Sequence, residues 1–283
     1  MGRNDEVMLG AIIGDIVGSK YEFNNHRSKD FEFFQDSMFF TDDTVMTLTI
    51  AKAIIEWHTA MHDEDDNYSP TLNELTTAYM QAIGRLYPDC GYGGRFYQWV
   101  FSDNPQPYNS FGNGAAMRVS AIGWIAKSED EVKTLSKAVT EVTHNHPEGI
   151  KGAEATAMAM FFAKQGKSIE EIKQKMIEYY PQLEDSDFTI DKIRPTYEFN
   201  EACQDTVPQA LQAFFESESF EDAIRIAISV GGDSDTLAAI TGSIAEVYYG
   251  VPLDIKQKSL SYLDESMLIL FNEWNDFYQY NFT

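Results

Sequence analysis

The chain has 283 residues, 43% of them hydrophobic and 13% aromatic, and 45 acidic against 21 basic residues give a net charge of −24 at pH 7. That apolar fraction can bury a large core, which excludes a disordered chain, and no segment approaches the ~20 apolar residues of a membrane-spanning helix. The negative charge repels a phosphate backbone over about a Debye length, so we expect no nucleic-acid partner and no membrane partner.

Helical periodicity dominates the sequence, because apolar residues recur at spacings of three and four. In chain order, the pattern predicts helices over residues 44–61, 72–86, 114–127, 130–143, 149–165, 168–180, 206–217, 220–230, 236–249 and 255–280. Alternation typical of strands is rare, and only short pieces such as residues 188–190 look extended. No domain boundary or fixed repeat is visible. The sequence therefore predicts one all-α domain over residues 1–283, with many helices around one core.

The cysteines and the N-terminus indicate the cellular compartment. Cys90 and Cys203 are the two cysteines, and neither lies in a metal-binding CxxC motif. Residues 1–8 carry acidic side chains where a signal peptide has a basic start and an apolar run. We therefore expect a cytoplasmic protein with reduced thiols, and a monomer.

Two acidic motifs stand where predicted helices begin, at residues 41–44 (TDDT) and 231–236 (GGDSDT). Capping explains one carboxylate at a helix start, at about 1 kcal/mol, but hardly two per motif. Mg²⁺ or Mn²⁺ would remove the repulsion between neighbouring carboxylates, and Asp42, Asp43, Asp233 and Asp235 carry the charge that two such ions neutralise. From the residues alone, capping and metal binding both stay open, because sequence does not show whether the two motifs meet.

A glycine-rich segment at residues 110–114 (SFGNG) precedes the predicted helix 114–127. A lone GxG is most often a tight turn, and this one lacks the ending of a P-loop and the context of a dinucleotide fold. Backbone amides of residues 112–116 could still hold a pyrophosphate at a helix start. Arg118, one turn further on, is either a charge partner or a structural tie, and Phe111 or a nearby tyrosine could stack on a base.

Five motifs follow one another along the chain: GAIIGDIVGSKYEF (10–23), FTDDTVMTLTIAKAI (40–54), SFGNGAAMRVSAIGW (110–124), THNHPEGIKGAEATA (143–157) and GGDSDTLAAITGSIAEVYYG (231–250). Taken in this order, they resemble the ADP-ribosylglycohydrolase family of DraG-like and ARH-type hydrolases. Residues 62–109 and 167–205 are the least diagnostic. The resemblance implies a compact all-α orthogonal bundle with a binuclear Mg²⁺ or Mn²⁺ centre.

The resemblance also implies roles for individual residues. The metal ligands would be Thr41, Asp42, Asp43, Asp233, Asp235 and Thr236, with Asp235 as the bridging carboxylate. The substrate-binding residues would be Gly112, Asn113, Gly114, Ala115 and Met117 around the diphosphate, His144 near the ribose-phosphate, and Ser234. Glu22 sits where some members carry an acidic gate, and Asp15 would orient water at the metals.

The reaction that this likeness implies is hydrolysis of the N- or O-glycosidic bond between C1″ of ADP-ribose and an acceptor, which is a protein side chain or a related group. Asp42, Asp43 or Glu22 would guide the attacking water or protonate the leaving group. Two alternatives are a two-metal nucleotide phosphohydrolase, which would release phosphate, and a non-catalytic ADP-ribose-binding relative. The acceptor, and the choice between Mg²⁺ and Mn²⁺, stay open.

Overall fold

The computed structural model describes residues 6–62 and 70–283, so part of the N-terminal segment discussed above lies outside the described residues. Within these ranges the chain forms fourteen α-helices and no strand. The helices are α1 (Leu9–Gly18), α2 (Asp42–Met61), α3 (Leu72–Gly84), α4 (Gly94–Val100), α5 (Ser120–Ile125), α6 (Glu129–Thr140), α7 (Pro147–Lys164), α8 (Ile169–Ile177), α9 (Ile190–Ile193), α10 (Cys203–Phe215), α11 (Phe220–Val230), α12 (Ser234–Tyr249), α13 (Leu253–Leu260) and α14 (Glu265–Phe282). The predicted all-α class is confirmed. None of the helices in the described ranges has the length and apolar character needed to cross a membrane.

Several helix boundaries differ from the sequence prediction. The predicted helix 114–127 is a 3₁₀ turn at Asn113–Ala115 followed by a separate helix α5. The predicted helix 255–280 is interrupted before α14, where the side chain of Asp264 caps the new helix by accepting a hydrogen bond from the Met267 amide at 2.9 Å. Residues 188–190 form no strand, since Thr189 is extended but α9 begins at Ile190. Helices α1, α4 and α9 were not predicted.

Helix α1 packs directly against α12 through a seam of glycines spaced four residues apart. A Cβ atom on Gly10 or Gly14 would lie 2.1 Å from a carbonyl oxygen of α12, and one on Gly18 would lie 2.4 Å from the Cα of Asp235. Only glycine permits so close an approach of two backbones. The seam therefore fixes the C-terminal half of α1 beside the N-terminus of α12.

Helix α12 lies at the centre of the core, where it contacts α1, α7, α10 and α11. Its residues from Ser234 to Glu246 are all buried. At its far end, Glu246 accepts hydrogen bonds from the amides of Leu9 and Gly10 at 3.1 and 2.8 Å, which satisfies the first turn of α1. Burial raises the pKa of Glu246 to about 7. The helix that carries the GGDSDT motif is thus held from both ends.

Candidate metal centre and binding cavity

The two acidic helix starts meet in space. The Thr236 hydroxyl donates to Oδ2 of Asp43 at 3.1 Å, and the Thr41 hydroxyl lies 3.5 Å from Oδ2 of Asp235, 194 positions away in sequence. Thr41 is also the N-cap of α2, where its hydroxyl accepts from the Asp43 amide. Thr41 therefore caps α2 at the same place where the carboxylates cluster, whereas the sequence analysis treated capping and metal binding as alternatives.

Asp15 of α1 holds the start of α2 in place. Its carboxylate accepts hydrogen bonds from the amides of Thr41 and Thr44 at 2.9 and 3.0 Å and from both hydroxyls. Burial outweighs these bonds and raises the pKa of Asp15 to about 6. The glycine seam places Asp15 where it can do this, because it fixes α1 against α12.

The carboxylates form two groups of three that share one member. Oxygens of Asp15, Asp43 and Asp235 lie within 4.8 Å of one another, and so do oxygens of Glu22, Asp233 and Asp235. Oδ1 of Asp43 is buried and has no hydrogen-bond partner among the described residues. A buried, oxygen-rich set that leaves a carboxylate oxygen without a partner fits hard divalent cations such as Mg²⁺ or Mn²⁺.

The pKa shifts of these acids also favour a bound cation. Burial, followed by the neighbouring carboxylates, raises the pKa of Asp42, Asp43 and Asp235 well above the usual range, and the pKa of Glu22 to about 7. None of the ion pairs within residues 6–62 and 70–283 involves these acids. The cluster as described repels itself when ionised, and a bound cation would relieve that repulsion.

A cavity of about 250 Å³ opens onto the cluster. Its acidic lining residues, here called the acidic wall, include Glu22, Asp42, Asp43, Asp233 and Asp235. A second group of lining residues, here called the opposite wall, consists of residues 112–114 (the glycine turn), Arg95, Arg118 and His144. Met117 and Thr236 also line the cavity, whereas Thr41, Ala115 and Ser234 do not. The Ser234 hydroxyl instead donates to the carbonyl of Gly18 at 3.0 Å, so its role in substrate binding stays a prediction.

The glycine turn is not the helix start that the sequence suggested. The amides of Ala115, Ala116 and Met117 are used inside the turn, and the amide of Asn113 donates to the Glu201 carbonyl at 2.6 Å. Of the amides of residues 112–116, that of Gly114 has no acceptor among the described residues. Of the amides at this turn within the described residues, only that of Gly114 is thus free to bind a ligand, and the role of residues 112–115 and Met117 around a diphosphate stays a prediction.

Asn113 links the glycine turn to the acidic wall. Its side-chain amide donates to Oδ2 of Asp233 at 2.7 Å and to the Thr206 hydroxyl at 3.2 Å. These bonds explain why the chain leaves helical geometry here, since the turn is anchored by tertiary contacts on both sides. The orientation of Asp233 depends on this amide.

His144 is buried against the glycine turn. Its Nδ1 lies 2.7 Å from the Thr143 hydroxyl, and its Nε2 would lie 3.4 Å from a Cβ placed on either Gly112 or Gly114. Burial, followed by Arg118 and Arg95, lowers the pKa of His144 well below its usual value, so the ring is neutral. His146, its neighbour in the motif, caps α7 by accepting a hydrogen bond from the Glu148 amide at 3.1 Å.

Several cavity residues were missed by the sequence analysis, among them Arg95, Tyr108 and Glu201. Arg95 lies with its guanidinium 4.8 Å from the ring centre of Tyr108, and both residues line the cavity. The glycines at positions 91, 93 and 94, just before and at the start of α4, are typical of a loop. This local pattern could have marked the segment as a candidate part of the site. Glu201 also lines the cavity, and nothing in its sequence context indicated it.

Comparison with known proteins agrees with this architecture. A family model described as ADP-ribosylglycohydrolase matches residues 3–276. ADP-ribosylhydrolase ARH3 of Xenopus tropicalis is 25% identical, over 91% of this chain and 91% of that protein. ADP-ribosylarginine hydrolase Tri1 of Pseudomonas putida is 26% identical, over 89% of this chain and 71% of that protein. A solved structure titled "ADP-ribosylglycohydrolase-related protein complex" shares the fold, with a TM-score of 0.67 and 20% identity over 98% of this chain and 96% of that one.

The all-α fold and the buried acid cluster thus occur in a chain whose similar proteins are named as hydrolases. Because the family model spans nearly its whole length, the chain belongs to the ADP-ribosylglycohydrolase family. The resemblance carried by the five motifs is confirmed, and so is the prediction of a hydrolase.

Proposed function

We propose that the protein hydrolyses the N- or O-glycosidic bond between C1″ of ADP-ribose and an acceptor, with the help of two divalent metal ions. The observation that carries this proposal is the pair of carboxylate groups that share Asp235 at the end of one cavity. The names of the relatives, ADP-ribosylhydrolase and ADP-ribosylarginine hydrolase, supply the substrate. A monomer in the cytoplasm stays a prediction.

The residues that would hold the metals are Thr41, Asp42, Asp43, Asp233, Asp235 and Thr236. Asp235 belongs to both carboxylate groups, which supports its role as the bridging ligand. When bound, the two ions would neutralise these acids, orient ribose hydroxyls and make a water more acidic. Asp15 would act indirectly, by keeping residues 41–44 in position through its four hydrogen bonds.

The two walls of the cavity would have different roles, one in the reaction and the other in binding the phosphates. Glu22, Asp42 and Asp43 can guide a water to C1″ or protonate the leaving group, and their carboxylates stabilise positive charge that develops on the ribose ring. The free amide of Gly114 and the edge of His144 face the same cavity and can donate hydrogen bonds to the diphosphate. The substrate would therefore lie with its reacting ribose at the acidic wall and its phosphates at the opposite wall.

The test is mass spectrometry of the products from ADP-ribosylated arginine, serine and nucleotide substrates, with Mg²⁺ or Mn²⁺ and with a chelator. We expect intact ADP-ribose, released only with metal, and no product from an Asp42→Ala/Asp43→Ala double variant. Released phosphate or nucleoside monophosphate would identify a phosphohydrolase instead. Binding of ADP-ribose without turnover of any substrate would identify a non-catalytic relative, and either result overturns the proposal.

A further inference from the structure

The guanidinium of Arg118 is buried at the cavity and has no carboxylate partner among the described residues. Arg118 is 1% exposed, makes no ion pair among the described residues, and its Nε has no hydrogen-bond partner there. Burial lowers its pKa only to about 10, so it stays charged at neutral pH. An unpaired buried cation does not favour folding, so stability alone does not account for this residue.

The hydrogen bonds of Arg118 run towards His144 through Thr143. Nη2 of Arg118 donates to Oγ1 of Thr143 at 2.8 Å, and Oγ1 lies 2.7 Å from Nδ1 of His144. A guanidinium can only donate, so Thr143 must accept from it and keeps its own proton for another acceptor. Nδ1 of His144 at 2.7 Å is a much better acceptor than the Thr140 carbonyl at 3.5 Å.

The position of the ring proton follows from these distances. Nη2 of Arg118 also lies 3.5 Å from Nδ1 of His144, where it would repel a proton on that nitrogen. Nδ1 is therefore the acceptor, and a neutral imidazole with an acceptor at Nδ1 carries its one proton on Nε2. Nε2 has no acceptor among the described residues, and it would lie 3.4 Å from a Cβ placed on Gly112 or Gly114, which line the same cavity as His144.

We propose that Arg118 and Thr143 are positioning residues that lock His144 in the Nε2–H tautomer, so that the ring donates a hydrogen bond to an anionic oxygen of the ligand at the glycine turn. The tautomer is a property of the ligand-free protein, whereas the identity of the anion as the diphosphate of ADP-ribose rests on the proposed function. Without the hydrogen bonds from Arg118 to Thr143 and from Thr143 to Nδ1, the ring proton could move to Nδ1. Nε2 would then face a phosphate oxygen as a second acceptor, and two acceptors repel each other. The glycines contribute by leaving the edge of the ring uncovered.

The first test is the tautomer itself, read from long-range ¹⁵N–¹H NMR correlations of His144 in the full-length, ligand-free protein. We expect Nε2–H in the wild type between pH 6 and 8. Thr143→Val removes the hydroxyl at nearly constant shape and should give a mixture of tautomers, whereas Thr143→Ser should restore Nε2–H. Thr49→Val is the matched control, since Thr49 is also buried, donates to the Val45 carbonyl and does not line the cavity.

An Nδ1–H or doubly protonated ring in the wild type would overturn the proposal, and so would an unchanged tautomer in Thr143→Val. Arg118→Met extends the test if it folds, with the same expected loss of the pure tautomer. The second measurement is the affinity for ADP-ribose with Mg²⁺ by calorimetry. We expect about 10-fold weaker binding for Thr143→Val and wild-type affinity for Thr143→Ser and Thr49→Val. No binding in the wild type would contradict the proposed function and leave the tautomer result standing, whereas equal affinity in all four proteins would contradict the ring's donor role.

Discussion

The acidic wall and the opposite wall of the cavity carry charges of opposite sign that do not pair with each other. The acidic wall has five carboxylates and no basic partner in the described part of the chain, while Arg118 on the opposite wall has no acidic one. Both walls are held by hydrogen bonds, but Oδ1 of Asp43 in the acidic wall has no partner among the described residues, whereas Nδ1 of His144 in the opposite wall is bonded to Thr143. This difference in charge and in hydrogen bonding is what the proposed function needs, since it would place cations at the acidic wall and an anion at the opposite wall.

We expect the largest effect from Asp235→Asn, because Asp235 belongs to both carboxylate groups. We expect metal-dependent activity to fall by about 100-fold or more, and the rise in melting temperature on adding Mn²⁺ to disappear. In chelator the variant should melt no lower than the wild type, since a mutual repulsion is relieved. Asp222→Asn, which removes a partly exposed ion pair with Lys29, is the control. Metal stabilisation that persists in Asp235→Asn would contradict the comparison.

Asn113→Ala tests the link between the walls, because the Asn113 amide orients Asp233. We expect the affinity for Mn²⁺, measured by calorimetry, to fall by about 10-fold, as is typical when a group behind a metal ligand is removed. Asn281→Ala on α14, where the amide donates to the Phe277 carbonyl, should leave the affinity unchanged. An unchanged affinity in Asn113→Ala would show that the walls are independent.

The pH dependence of stability gives the smallest effect. The raised pKa values mean that the folded, metal-free protein binds more protons than the unfolded chain between about pH 4 and pH 7, so its free energy of unfolding falls as the pH rises through that window. We expect the melting temperature in chelator to drop on the order of 5 °C from pH 5 to pH 8. Added Mn²⁺ should remove most of this drop but not the part due to Glu246, which lies at the far end of α12. A melting temperature that rises with pH in chelator would contradict the assigned pKa shifts.

The sequence predicts those parts of the site whose signal is local. The starts of α2 and α12 were found because Thr and Asp at a helix start are a local pattern. The residues alone did not predict that these two helix starts meet in space, because their meeting depends on how α1 packs against α12. Ser234 shows the same limit, because its neighbours in sequence do not reveal that its hydroxyl points to the carbonyl of Gly18.

The errors have physical causes that the sequence does not display. Helix α1 was missed because three glycines weaken its intrinsic helical signal, and only the contact with α12 explains them. The helix predicted from residue 114 was wrong because Asn113 bonds to Asp233 and to the Glu201 carbonyl, which overrides the apolar periodicity. The single domain stays a prediction.

The glycine seam between α1 and α12 has one more consequence. Because main-chain atoms of α1 contact main-chain atoms of α12 there, the separation between the backbones of Asp15 and Asp235 is set by van der Waals contact, and a change of rotamer in the core does not alter it. The two acidic side chains therefore start from supports at a fixed distance. In the proposed metal centre, a preference for an ion of another radius would have to come from a change in the acidic side chains, since their supports do not move apart.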